Sequence, residues 1–257
     1  MFRRRLEPVL LPLLAAALLI LAWHAAVRAT GTTVFPSPAA VARGLAELAR
    51  KGLLLRYVRD SLMRVGAGFG AALAIGVPLG VFLGWQPAAA RAANPVIQFL
   101  RPISPLAWIP VAIVLFGVND TAATFLIFLG SVFPILVAAM NGVRGVPAIY
   151  RQAGRNFGLS RSALLARVVF PAALPELIAG IRIALGIAWL VVVAAEMIAV
   201  NSGLGYLVID SRNAGKRYDL VVAAMVLIGI IGLVLNVAVS RIARFRAVRW
   251  GFRAEDA

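Results

Sequence analysis

The feature that most constrains the fold is a set of apolar runs long enough to cross a membrane. From residue 220 to residue 240 the chain carries no charged side chain. About 20 apolar residues in a helix span the hydrocarbon core of a bilayer. Over the whole chain 62% of the residues are hydrophobic and 14% are charged, whereas soluble domains carry roughly 25% charged residues. The sequence therefore predicts an all-α polytopic membrane protein.

Six such runs predict about six transmembrane helices. They lie at residues 9–27, 65–84, 95–117, 121–140, 172–199 and 220–242. The first run follows a charged start, as in a signal peptide, but no clean cleavage site comes after it. We interpret it as a retained first span.

The segment between the first two runs favours an amphipathic helix. Ser37 followed by Pro38 is typical of a helix start, because the hydroxyl caps free amides and proline suits the first helical position. Apolar residues then recur near helical period at Val41, Leu45, Leu48, Leu55 and Val58. We expect this helix to lie at the membrane interface or to pack on neighbouring spans. The predicted organisation is an N-terminal region at 1–60, a transmembrane core at 61–245 and a tail at 246–257.

The distribution of lysine and arginine favours a cytoplasmic location for both termini. With the amino terminus inside, the inner segments hold 14 of these residues and the outer segments hold 10. The excess is small, so the basic triplet at residues 3–5 and the basic tail decide the orientation. The net charge of +16 is explained by loop arginines that set topology and contact anionic lipid headgroups, not by nucleic-acid binding.

Prolines interrupt the third run, so it cannot be one straight helix. Pro102, Pro105 and Pro110 each remove an amide donor and disfavour helix in the residue before them. Irregular backbone at membrane depth is tolerated only inside protein or along a water-filled path. We interpret Arg101, Pro102 and Pro105 as candidate linings of a transport pathway. A packed kink without a transport role is the alternative.

Two charged residues fall inside the fifth run. Arg182 and Glu196 are separated by about 21 Å along a helix, so they cannot pair with each other. Arg182 is predicted to be an electropositive element of an anion path, with an interhelical pair as the alternative. Glu196 is a second pathway candidate, and its position near the outer end would also let it simply reach the interface.

Three glycines in the second run share one helix face. Gly76, Gly80 and Gly84 are spaced four residues apart, which lets another backbone approach closely. We predict tight helix packing there, although glycine is also generally common in membrane helices.

The chain carries no recognisable catalytic or metal-binding set. It has no cysteine and one histidine, His24, inside an apolar run. The nucleotide-binding P-loop is absent, since Gly215-Lys216 is followed by Arg217 and Asp210 stands where the first glycine is needed. We therefore predict no enzyme activity and no cofactor. Uphill transport would draw either on a separate ATPase or on an ion gradient.

The most specific pattern in the chain is the stretch RQAGRNFGLSRSALLARVVFPAALP, residues 151–175. It predicts a turn at Gly158 and a second short helix capped by Ser160. It resembles the cytoplasmic loop of ABC-importer permeases, which has the pattern E-A-A, three residues, G, nine residues, I-x-L-P. The matching positions are Gln152, Ala153, Gly154, Gly158, Val168, Phe170 and Pro171. Four of them depart from the pattern, and glutamine in place of the acid can form a hydrogen bond but not an ion pair.

Residues 61–84, 94–120, 180–199 and 201–210 are similar to the nitrate, sulfonate and taurine class of these permeases, the MetI-like type I importers. The resemblance implies a homodimer with two cytoplasmic ATPase subunits and an extracytoplasmic substrate-binding protein in the bacterial plasma (inner) membrane. It also implies that residues 148–171 form coupling helices that dock on the ATPase. The implied function is import of a small anion such as a sulfonate, taurine, nitrate or bicarbonate. An ion-gradient-driven carrier that works without an ATPase is the alternative.

Overall fold

The computed structural model of the protein describes residues 3–31, 34–213 and 215–242, with side chains described for residues 10–31, 34–213 and 215–241. All regular secondary structure within these ranges is helical, and no strand occurs there. The side chains of arginines 3–5 and the tail at 246–257 lie outside the described residues. The helices are α1 (Arg3–Thr30), α2 (Pro38–Arg50), α3 (Leu53–Trp85), α4 (Pro87–Leu100), α5 (Ile109–Phe116), α6 (Asp120–Gly145), α7 (Ala148–Asn156), α8 (Arg161–Leu164), α9 (Phe170–Ile198), α10 (Leu204–Asn213) and α11 (Tyr218–Ile242).

The third predicted span is broken in the structure. Five helices of the described chain are long and apolar enough to cross a membrane by themselves, and α4 with the segment Pro105–Phe116 forms a pair bent by 81°. A 3₁₀ turn, Pro105–Trp108, follows the break and leads into α5. The Ser104 hydroxyl accepts a hydrogen bond from the Leu106 amide at 3.3 Å and so caps this turn. The predicted interruption of the span is confirmed.

The packing of α3 on α6 shows that the broken pair crosses the bundle. Gly68 of α3 lies against Ile127 of α6, and Gly84 lies against Val143, so the two helices are parallel. α3 therefore ends at one end of the bundle, whereas α6 begins at the opposite end. Only α4 and α5 connect them, so together they make one pass. We call the end that carries α7 the α7 end, and the opposite one the α10 end.

α9 runs through the middle of the bundle, antiparallel to α6 and α11. Gly142 of α6 lies against Ala173, and Gly130 lies against Val191. The indole nitrogen of Trp189 donates to the Ile228 carbonyl of α11 at 3.0 Å. The largest buried cluster joins α6 and α9 and includes Leu126, Ile127, Val191, Val192 and Ala195. α9 therefore contacts most of the core through its neighbours α6 and α11.

The predicted amphipathic helix is shorter than expected. The Ser37 hydroxyl accepts the Ala40 amide at 3.3 Å, which confirms the predicted cap. The helix nevertheless ends at Arg50, and Gly52 adopts a left-handed conformation with φ of 68°. The assignment of Leu55 and Val58 to this helix is wrong. They belong to α3, which begins at Leu53, twelve residues before the predicted second span.

The first span is not packed into the core of the bundle. No side chain described in α1 is buried. The Trp23 indole donates to the Pro36 carbonyl at 3.2 Å and its ring lies 5.9 Å from that of Phe35. Both contacts are with the linker before α2 and not with the core.

Candidate functional site

A helical hairpin, formed by α7 and α8, lies at the α7 end between two core helices. Gly158, just after α7, has a φ of 75°, which glycine adopts without the steric penalty of a side chain. The Leu159 amide donates to the Gly154 carbonyl at 3.1 Å, and the Gly158 amide donates to the Arg155 carbonyl at 2.9 Å. These two bonds are the Schellman motif that commonly ends a helix. The predicted turn at Gly158 is confirmed.

The second helix of the hairpin is firmly attached to the bundle. The Ser160 hydroxyl accepts the Ala163 amide at 3.3 Å, as predicted. α8 passes through a π-helical turn, Leu165–Val169, directly into α9. Leu164 and Val169 are buried in one cluster with Val143 of α6. A Cβ on Gly154 would meet the Leu164 side chain at 2.5 Å, so the small residue lets α7 lie close to α8.

The outer surface of the hairpin is apolar and basic. Phe157 is 88% exposed, and Ile149 and Tyr150 are also exposed. Gln152 and Ala153 are exposed, whereas Val168, Phe170 and Pro171 are half-buried where the hairpin joins α9. Arginines 155, 161 and 167 of the same segment are also exposed. Clustered exposed apolar side chains commonly mark a contact surface for another protein.

A cavity of about 500 Å³ opens at the break in the third span. We call it the α6–α9 cavity, because these two helices form most of its wall. Arg101 and Pro105 line it, whereas Pro102 is not part of the lining. The polar side chains of Asn141 and Glu176 also line this cavity.

A second cavity of about 480 Å³ lies between α9 and α11, and we call it the α9–α11 cavity. Arg182 lines it, and its Nε donates to Oδ1 of Asn236 at 2.9 Å. The predicted interhelical partner is therefore present, but Arg182 also remains exposed. Ala179 and Ile183 line both cavities, so the two adjoin along α9.

The prediction that Glu196 reaches the interface is wrong, because its side chain is enclosed by the protein. It is 0% exposed, and neither cavity includes it. One carboxylate oxygen accepts a hydrogen bond from Nη1 of Arg64 at 2.6 Å. The other accepts from the Ser61 hydroxyl and from the Gly205 amide, both at 2.9 Å. These bonds hold the carboxylate inside the protein, because they compensate the loss of water.

Arg64 joins four segments at the α10 end. It is 4% exposed, and its Nε and Nη2 both donate to Oδ1 of Asp120, at 2.9 and 2.7 Å. Its Nη1 also donates to the Ser202 carbonyl at 2.9 Å. One guanidinium thus links α3, the start of α6, the end of α9 and the linker to α10. Asp120 differs from Glu196 in that its side chain is 75% exposed.

A second ion cluster fixes α2 on the bundle at the same end. Nη2 of Arg217 lies 2.7 Å from Glu47 of α2 and 2.8 Å from Asp219 of α11. Lys51 lies 2.7 Å from the other oxygen of Glu47. Hydrogen bonds from Arg217 and then from Lys51 lower the pKa of Glu47 to about 2.

The three predicted glycines of α3 face α6. A Cβ on Gly76 would lie 3.1 Å from Ile135, and one on Gly84 would lie 2.7 Å from Val143. A Cβ on Gly80 would overlap the Leu136 carbonyl and Ala139. The backbones of α3 and α6 therefore approach each other along the whole glycine series.

The sequence was compared with known proteins. Residues 76–249 match the family described as binding-protein-dependent transport system inner membrane component. The chain belongs to this permease family. Its members are transport subunits of ABC importers and not catalytic enzymes.

Three relatives cover most of this permease. A probable ABC transporter permease of Brucella abortus is 38% identical over 97% of this chain and 99% of its own length. The bicarbonate transport system permease CmpB of Synechococcus elongatus is 34% identical over 95% of this chain and 91% of its own. The nitrate import permease NrtB of Synechocystis is 34% identical over 89% of this chain and 86% of its own. The function of an ABC importer permease follows from these matches.

A solved structure shares the fold of this permease. It is a crystal form of the MetNI methionine ABC transporter in an inward-facing conformation, with a TM-score of 0.66 at 22% sequence identity. The match covers 78% of this permease and 97% of that chain. The predicted fold class, a type I ABC importer permease core, is confirmed.

Sequence reasoning missed two features of this permease at the α10 end. It did not predict α10, because the segment is too short and too polar to form a span. It also did not find the partners of Arg64, since Glu196 is 132 residues away in the chain. The available signal was weak: Arg64 and Asp120 each stand immediately outside a predicted apolar run.

Proposed function

We propose that this permease acts as a homodimer with two ABC ATPase subunits and an extracytoplasmic binding protein, and imports a small anion. The observation that carries the proposal is the exposed apolar surface of the hairpin formed by α7 and α8. It lies outside the predicted spans. Its position, between the fourth and fifth spans, is that of the coupling loop of the resembling permeases.

The hairpin is suited to dock on an ATPase subunit. Phe157 and Ile149 provide apolar anchors, and apolar or aromatic anchors contribute most of the affinity in typical interfaces. Gln152 is exposed beside them and offers a neutral hydrogen-bonding group. The exposed arginines of the same segment favour an acidic rim on the partner groove.

The hairpin can transmit movement directly to the transport cavities. α8 continues through its π-helical turn into α9, and α9 lines both cavities. Leu164 and Val169 fix this junction in the core. ATP binding would bring the two docked hairpins together, and each would move its α9. This differential docking would bias the equilibrium between inward-open and outward-open states.

The proposed orientation places the α7 end and both termini in the cytoplasm of a bacterial inner membrane. Six passes, with the bent pair counted as one, would put the start of α1 and the end of α11 on the same side. Five arginines, at positions 144, 151, 155, 161 and 167, lie at the α7 end, in agreement with the preference of basic residues for the cytoplasm. The binding protein would then approach the α10 end.

The proposed substrate class is that of small oxyanions. Bicarbonate and nitrate are the substrates in the names of two relatives, and sulfonates and taurine belong to the class that the sequence resembles. Within that class we expect the binding protein to choose the individual anion.

Docking and energy source are tested by substitution in the reconstituted transporter. Ile149→Ala and Phe157→Ala should each weaken recovery of the ATPase with the permease, and ATP-dependent uptake, by about tenfold or more, as for a residue that anchors an interface. Leu55→Ala is the matched control, since Leu55 is 73% exposed and lies at the α10 end. Recovery that is equal in all three variants would refute the docking surface. Uptake by the permease without any ATPase would instead favour the gradient-driven carrier.

A further inference from the structure

The two cavities contain arginines that no carboxylate neutralises. Among the described residues, Arg101 makes no ion pair and no side-chain hydrogen bond, and it is exposed to the α6–α9 cavity. Arg182 donates its Nε to Asn236, but its four remaining N–H groups have no described acceptor. The structure therefore leaves two guanidinium groups without charged partners on adjoining walls.

Both arginines lie near the middle of the bundle. The α6–α9 cavity includes Phe133 and Pro134, at the centre of α6, and Arg101 faces the same space. Arg182 is the thirteenth of the 29 residues of α9. A charged side chain at this depth is costly unless it is paired or faces water. Because neither arginine has a carboxylate partner among the described residues, we expect both cavities to be hydrated.

The charge balance at this depth is positive. Glu176 is the acidic residue in the lining of the two cavities, and Arg101 and Arg182 are the basic ones. Glu176 lies six residues before Arg182, about 9 Å along α9 toward the α7 end. The centre of the path is thus closer to Arg182 than to the carboxylate. In a water-filled cleft whose walls have a low dielectric constant, such a charge distribution attracts anions and repels cations.

The chemistry of the two side chains fits planar oxyanions. A guanidinium presents parallel N–H groups that match two oxygens of a carboxylate-like anion. Asn236 fixes the plane of the Arg182 guanidinium through Nε and leaves its outer N–H groups free for a ligand.

We propose that Arg101 and Arg182 form a transient anion site in the permease, which selects the sign of the charge that can pass. This inference rests on the proposed function, and it assigns part of the selectivity to this chain. The binding protein would choose among anions, and the two arginines would exclude cations.

The absence of cysteine from the sequence allows a direct test on the purified full-length permease. Single cysteines are introduced as Ala179→Cys and Ile183→Cys, because these positions line both cavities. Each variant is labelled with an anionic and with a cationic methanethiosulfonate reagent. The labelling rate of each reagent is divided by its rate with a small thiol free in solution, which corrects for the different reactivity of the two reagents. We expect the anionic reagent to react about tenfold faster than the cationic one in these relative rates.

The preference should disappear in Arg101→Gln/Arg182→Gln and remain in Arg101→Lys/Arg182→Lys, because lysine keeps the charge. Arg91→Gln is the control, since Arg91 is exposed on α4 but lines neither cavity. An anion preference that survives the double glutamine change would overturn the proposal. Failure of both cysteines to react would also overturn it, because the cavities would then not be hydrated.

The labelling result does not depend on the ATPase or on the substrate. Uptake of labelled bicarbonate and nitrate by the reconstituted transporter provides the second measurement. In it, the double glutamine variant should move about tenfold less anion per ATP hydrolysed. If the double glutamine variant loses the labelling preference but still moves a normal amount of anion per ATP hydrolysed, only the role of the anion site in transport is refuted. An intact preference without ATP-dependent uptake refutes only the proposed function.

Discussion

Replacement of Glu196 by glutamine should strongly destabilise the permease. Glutamine keeps the size of the side chain but replaces one carboxylate oxygen by an amide group with two N–H donors. One carboxylate oxygen of Glu196 accepts from Arg64 and the other from Ser61 and Gly205. Either orientation of the amide therefore directs a donor at another donor. The guanidinium of Arg64 also loses its buried counter-charge.

The expected loss follows from the burial of both partners. Arg64 is 4% exposed and Glu196 is 0% exposed, and removal of one partner of a buried pair costs about 3–5 kcal/mol. For a chain of this size, about 2–4 °C in melting temperature per kcal/mol predicts a decrease of about 6–20 °C. Tryptophan fluorescence during heating in detergent measures it, with one scan rate for all variants because such unfolding is often irreversible.

Asp120→Asn is the matched control. It also removes a carboxylate from Arg64, but Asp120 is 75% exposed and water can replace it, so the expected loss is about 1 kcal/mol or less. The double variant Arg64→Met/Glu196→Met should recover much of the loss of Glu196→Gln, because no unpaired buried charge remains. If Glu196→Gln melts within about 2 °C of Asp120→Asn, the buried pair does not have the stabilising role argued here.

Two further predictions concern helix packing and pH. Gly80→Ala should destabilise the permease by about 1–3 kcal/mol, because α3 and α6 have to separate. Gly66 has open space around it, so Gly66→Ala should stabilise the permease by about 0.5–1 kcal/mol. Equal melting temperatures of the two variants would contradict the close approach of α3 and α6 at Gly80. Protonation of Glu47 should lower stability as pH falls from 4.5 toward 2, because the folded-state pKa of this group is about 2 and its ordinary value is 4.5. Melting curves recorded over the same pH window should show a smaller loss of stability in Arg217→Gln. If the loss of stability is the same as in the unsubstituted permease, the contact between Arg217 and Glu47 is not its cause.

The number of spans could be predicted from the sequence because each apolar run is long enough to cross a bilayer. The beginning of α3 could not be predicted, since its first turns carry Arg56, Arg59 and Asp60 and so fall outside any apolar window. The break in the third span could be predicted from its prolines, because a missing amide donor acts locally. The parallel packing of α3 on α6 is not local, and only the structure shows it.

In the candidate site, too, local features could be predicted from the sequence and contacts between distant residues could not. The turn at Gly158 and the cap at Ser160 depend on residues close in sequence, and both were predicted. The fate of Glu196 depends on Ser61 and Arg64, more than 130 residues away, and a single sequence contains no signal for such a pairing. Position in a run suggested an interfacial residue, but tertiary hydrogen bonds hold Glu196 inside.

The ion pair at the α10 end also places a demand on biosynthesis. Arg64 precedes Glu196 by 132 residues, so at about 5–20 residues per second the ribosome needs roughly 7–26 s to deliver the buried partner. Asp120 emerges only 56 residues after Arg64 and becomes available in less than half that time. During the interval the long side chain of Arg64 can extend to the headgroup layer, since it stands at the border of its apolar run. The exposed carboxylate of Asp120 thus becomes available to Arg64 before that of Glu196, and the final buried site is completed only after α9 has entered the membrane.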